Sequence, residues 1–203
     1  FAAILRRRTE VAQRHDPPRR GWTGEAVGSS RMGPFEGHGV DSPAMNKIDH
    51  YREAETRIGA LVRGLEDPVA AMASAASVLH ELVPAASWTG FYRVVAPRML
   101  RVGPYQGPVG CLEIPFDQGV CGAAARLEQS QVVEDVHSFE GHIACDALAR
   151  SEVVVPVFDP QHTLVAVLDI DSHEPAAFDD TDRKELERIV ELLSPCFDRQ
   201  SQP

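Results

Sequence analysis

A chain of 203 residues is long enough for one domain of roughly 150 residues with its own core, and a formal net charge of −10 argues against a surface that binds nucleic acid. No run approaches the roughly 18 to 20 apolar residues of a membrane span, so a cytoplasmic protein with neither nucleic-acid nor membrane partners is expected. Cys111, Cys121, Cys145 and Cys196 are too few for a disulfide scaffold. The first three fall within 35 residues, which suits catalysis, redox sensing or metal binding.

Residues 1–44 hold six Gly, four Pro and seven Arg without sustained apolar periodicity. Such a stretch buries too little to offset ordering entropy, so 1–44 is expected to be a disordered or non-native extension, with Met45 as a natural start and 45–199 as a single domain. Ile48, Tyr51, Ile58, Leu61, Val62 and Leu65 then recur at helical spacing, and Asp67-Pro68 caps a second helix that runs to about Val83. Ser87 to Val95 and Met99 to Gly103 are aromatic and β-branched runs on either side of Ala96-Pro97, a hairpin pattern.

Ile114 to Gly119 reads as a loop leading into a helix that starts near Gly122, with Ala123 to Leu127 as its body. Gln131 to Val136, Glu152 to Phe158 and Thr163 to Ile170 read as strands, the last two joined through the turn Asp159-Pro160-Gln161-His162. Phe178, Leu186, Ile189, Val190, Leu193 and Phe197 define a closing helix behind Asp179-Asp180-Thr181. The order predicts an α+β fold, a central antiparallel sheet with helices from both chain ends packed on one face.

Three sets of residues carry chemistry. Cys121 falls beside the N-terminus of the short helix, where the helix dipole favours thiolate, so a lowered pKa is expected unless the residue is simply small and buried. Cys145 lies in a polar stretch, His137 to Asp146, where His142 or His137 would serve as a base if the loop folds back and as turn residues otherwise. Asp169 and Asp171 alternate with Leu168 and Ile170, so both carboxylates point to one face. They would bind an ammonium group or share a proton there, or else form a solvated strand end. Glu152 opens a neighbouring strand. No CxxC or CxxH pair occurs, so no metal ligands are assigned and no cofactor is expected.

Several ordered segments, Trp88-Thr89-Gly90-Phe91-Tyr92, Gly103-Pro104-Tyr105-Gln106-Gly107, Gly119-Val120-Cys121-Gly122, Gly141-His142-Ile143-Ala144-Cys145-Asp146 and Leu168-Asp169-Ile170-Asp171-Ser172, resemble the free methionine-(R)-sulfoxide reductases, enzymes built on a GAF domain. The likeness covers nearly everything after Met45. It implies that Cys145 attacks the sulfoxide sulfur in an enclosed pocket for one amino acid. Cys111 would then resolve the resulting sulfenic acid, Cys121 would assist, and a thioredoxin-type reductant would restore the dithiol. It further implies that Glu152, Asp169 and Asp171 hold the substrate and help protonate the departing oxygen, with Trp88 and Tyr92 as an aromatic wall. A homodimer through the opening helix fits the pattern, as does a non-catalytic GAF module that senses a small ligand or redox state.

Overall fold

The computed structural model describes residues 45–143 and 145–198; the expectation for 1–44 lies outside the described residues. Two helices open the described residues. In α1 (Lys47–Val62), Asn46 caps the first turn by accepting from the Asp49 amide at 3.0 Å, and Tyr51, Ala54, Ile58 and Val62 form the buried stripe. Ile48 and Leu61, expected on that stripe, instead face solvent because they flank it by one residue. Asp67 caps α2 (Pro68–Leu82) with Pro68 at its first position, and the helix is apolar on most of its circumference because it is sandwiched between α1 and the sheet.

Six strands, β1 (Trp88–Ala96), β2 (Met99–Gln106), β3 (Glu113–Pro115), β4 (Gln131–Val133), β5 (Ser151–Phe158) and β6 (Leu164–Ser172), form one antiparallel sheet in the order β3-β2-β1-β6-β5-β4. The β5–β6 turn is built by Asp159, whose carboxylate accepts from the amides of Gln161 and Thr163. The closing helix α4 (Asp180–Glu191) starts in a capping box between Asp179 and Asp182. Asp182 is buried and also accepts from Tyr51 at 2.8 Å and Lys47 at 2.7 Å, tying α4 to α1.

The period of two sorts the strands onto two faces. Phe91, Val153, Val155, Val157, Ala166, Leu168 and Ile170 pack under α1, α2 and α4, as expected. Trp88, Tyr92, Val154 and Val167 point the other way, into a second cluster covered by α3 (Gly119–Leu127) and the Cys111 and Cys145 loops. Local chemistry moved four expected boundaries. Glu113–Pro115 pairs with β2 rather than forming a loop. Helix α3 begins three residues before Gly122, on the left-handed Gly119 (φ 64°). The strand at Gln131 stops at Val133, and the Asp135 side chain then caps a 3-10 turn over Val136–Ser138. The closing helix ends at Glu191, and Ser194–Phe197 around Pro195 is again 3-10.

Candidate active site

Cys111 follows the β2 end and Cys145 sits in the loop between the 3-10 turn and β5. The two are joined in a disulfide with Cα atoms 5.0 Å apart. The Cys145 loop folds back over the sheet because Gly119 donates to the Gly141 carbonyl at 2.9 Å, and because His173, just past β6, bonds to Asp146 at 3.0 Å. The Asp146 carboxylate is held below its ordinary range by the Leu148 amide first and then by His173.

Beneath this loop is a small cavity. Its walls include Cys121, His142, Ile143, Cys145 and Asp146 with Glu152, Asp169 and Asp171, and its volume is about 20 Å³. That is room for one water and not for the amino acid expected, because in the bridged state the loop lies directly over the carboxyl groups. A roomier groove of about 740 Å³ between α4 and β5 contains none of the cysteines.

The carboxyl groups converge through strand register. Glu152 is directly opposite Asp171 across β5 and β6, and Asp169 lies two residues along on the same face. All three are buried, so the solvated strand end is not what forms. Burial pushes each above the usual carboxylate range. Asp169 and Asp171 add repulsion at Glu152, Asp171 adds it at Asp169, and Asp171 itself is raised to about 6. Glu152 and Asp171 interact closely enough to titrate as a pair that shares a proton. The Oδ1 atom of Asp169 has no hydrogen-bond partner, so one buried acceptor is left for whatever enters. Oxygens of the three acids lie within 4.8 Å of one another, a set that would hold a hard cation or a ligand's ammonium group. Among the described residues no cysteine or histidine joins them, as a zinc site would require.

Cys121 follows the second of its two readings, a small buried residue. It lies in the first turn of α3, yet its thiol is pushed well above the ordinary value by complete burial and then by Asp169 and Glu152. Desolvation and nearby carboxyls outweigh the helix dipole, which is worth about 1 kcal/mol. Trp88 and Tyr92 are buried and stacked, with ring centroids 5.6 Å apart, and Trp88 also stacks on Tyr105 and donates to the Pro108 carbonyl. They lie beneath the Cys111 loop, and burial first, then the nearby Asp169, Cys121, Asp171 and Glu152, raises the Tyr92 phenol above the ordinary range. His142 lines the cavity, and burial, then His137, holds its imidazole below the ordinary pKa, so it is neutral at pH 7.

The GAF domain model matches residues 66–198. The chain is 39% identical over 149 residues to the free methionine-R-sulfoxide reductase of Escherichia coli, covering 73% of this chain and 89% of that one. Its fold superposes on the X-ray structure of the Neisseria meningitidis free methionine-R-sulfoxide reductase in complex with its substrate, with a TM-score of 0.74, 40% identity, and coverage of 78% and 96% of the two chains. The reduced form of the Staphylococcus aureus fRMsr gives a TM-score of 0.67 at 38% identity, covering 71% and 92%. The chain belongs to the free methionine-R-sulfoxide reductase family.

Family membership makes the protein a GAF-domain oxidoreductase. For a free methionine-R-sulfoxide reductase, the structure brings together Cys145, Cys111, Cys121, Glu152, Asp169 and Asp171 from five segments of the chain. Sequence reasoning gave no site role to Ile114, Gly119, Val120, Ile143 and Ala149, which complete the cavity, or to His173, which anchors the Cys145 loop. His173 had a signal in its place directly after the acidic strand end, and Gly119, Val120 and Ile143 in the segments that carry the resemblance. Among the described residues no helix is long and apolar enough to cross a membrane.

Proposed function

We propose that this protein reduces free methionine-(R)-sulfoxide to methionine by thiol chemistry at Cys145. The observation that carries the reading is the Cys111–Cys145 bridge above three buried carboxyls in one cavity. The Cys145 thiolate attacks the sulfoxide sulfur and the substrate's S–O bond breaks. Oxygen passes to Cys145 as a sulfenic acid, and methionine departs. The Cys111 thiol then displaces that oxygen as water and the disulfide forms. The substrate gains the two electrons that the thiols lose. The shared proton of Glu152 and Asp171 suits transfer to the sulfoxide oxygen, and the unpartnered Asp169 oxygen suits the substrate's ammonium group.

With only about 20 Å³ under the bridged loop, substrate enters the dithiol form. A thioredoxin-type reductant returns the enzyme to that form, which suits the reducing cytoplasm. We read the catalytic unit as one domain spanning 45–199.

Epimer-resolved turnover tests the proposal. Purified protein with a thioredoxin system should release methionine from the R epimer of the free sulfoxide, and Cys145→Ser should abolish release. A fully active Cys145→Ser variant refutes the assignment. Tight binding of another small molecule without methionine release would favour a sensing module instead.

A further inference from the structure

The large apolar side chains most exposed to solvent among the described residues are Val109 at 77%, Leu112 at 70% and Leu148 at 66%. All three flank the disulfide. Val109 is two residues and Leu112 one residue from Cys111, and Leu148 is three residues from Cys145. At roughly 3.6 Å of reach per residue, each backbone lies within about 11 Å of a bridged cysteine. The other exposed large apolar residues range from 38% to 54% and are scattered over the helices and the β1 end. Isolated surface apolar residues need no explanation, but apolar residues gathered at a reactive bond mark a contact surface.

The chemistry of the bond selects the occupant. Restoring two thiols needs two electrons, and the cavity beneath is too small to admit a reductant from the substrate side. The thiol must arrive from the outer face, where both cysteines are half-buried. A protein that brings a thiol to bonding distance must bury the ring of surface around the disulfide. Redox encounters use small patches, below about 1,200 Å² in total, with an apolar centre.

We propose that Val109, Leu112 and Leu148 form the docking surface for a dithiol protein reductant that attacks the sulfur of Cys111. The inference rests on the reading of Cys111–Cys145 as the product of turnover. Cys111 is the sulfur outside the cavity, whereas Cys145 lines it. The reductant's thiolate bonds to Cys111 Sγ, the S–S bond breaks, and the Cys145 sulfur leaves into a cavity whose carboxyls supply a proton. The reductant's second thiol then attacks its own sulfur in the mixed disulfide. Cys111 is released as a thiol, and the reductant departs oxidised by two electrons.

The test needs no sulfoxide, so its outcome is separate from that of the substrate assignment. Oxidised full-length protein is reduced by thioredoxin, kept reduced by its reductase, or by dithiothreitol, and thiol appearance is followed. Val109→Ser, Leu112→Ser and Leu148→Ser combined should slow reduction by thioredoxin at least tenfold and leave reduction by dithiothreitol within twofold of wild type. An unchanged thioredoxin rate, or equal slowing with both reductants, overturns the docking surface. A thioredoxin lacking its second active-site cysteine should be trapped on Cys111 in peptide maps. Trapping on Cys145 overturns the assigned point of attack.

Discussion

Cys121 shares its cavity with Asp169 as a free thiol, while Cys145, facing the same cavity, is bonded to Cys111. Two thiols on one cavity are thus sorted into different states. Burial and the neighbouring acids keep Cys121 protonated, and a thiol is a far weaker nucleophile than a thiolate.

Cys121 is accordingly expected to be dispensable for making the bridge. After one turnover with the R sulfoxide, Cys121→Ser should show the same Cys111–Cys145 disulfide in peptide maps, and its steady-state rate should fall less than tenfold, since serine fills nearly the same buried space. Cys111→Ser should retain the first burst of methionine and lose recycling. A Cys121–Cys145 bridge in the wild-type maps would reverse these roles.

The Glu152–Asp171 pair predicts a pH dependence of stability. Asp171 titrates near 6 in the folded protein against an ordinary value of 3.8, so the native state holds its proton more tightly than the unfolded chain does. The stabilisation is fully present below about pH 4 and is lost as pH rises through 6. By 1.36 kcal/mol per unit the loss is roughly 3 kcal/mol, shared with Glu152 because the pair titrates as a unit. Asp171→Asn removes the titrating group. Urea unfolding should therefore show the variant gaining on wild type between pH 4 and pH 7, and a constant difference across that range would mean the pair is not raised. The same variant should slow single-turnover methionine release, because binding and proton transfer both lose a partner.

Much of this was legible in the sequence because each level of structure has its own periodic signal. Asp169 and Asp171 fell on one face from the strand period alone, and the caps at Asp67 and Asp179 announced their helices. Long-range approach was not legible. Whether the acids are buried depends on Cys145 folding over them through contacts with Gly119 and His173, distant in sequence. Of the two readings left open at Cys121 the buried one holds, and the choice was not legible for the same reason: the helix end was local and visible, while the carboxyls beside it come from β5 and β6. Trp88 and Tyr92 enter as an aromatic wall through the resemblance alone; that the register of β1 against β2 stacks them with Tyr105 beneath the Cys111 loop has no local signal.

Gly122 offers a stability test of how tightly α3 is seated beneath the site. An added Cβ there would drive into the Pro115 carbonyl oxygen and crowd Phe116, both backbone atoms of the strand and turn before the helix. Alanine in a helix gains up to about 1 kcal/mol over glycine, whereas overpacking against backbone that cannot rotate away costs about 1–3 kcal/mol. The clash wins, and Gly122→Ala should lower the Tm by a few degrees, at about 2–4 °C per kcal/mol for a domain of this size. Gly59 in α1 is the control, since its added Cβ would meet only Leu192 Cδ1, at an ordinary 3.8 Å. There the helix preference is unopposed, and Gly59→Ala should raise the Tm by a similar amount. Thermal melts of the two variants should move in opposite directions, and a rise for Gly122→Ala would show that α3 can slide off Pro115 without cost.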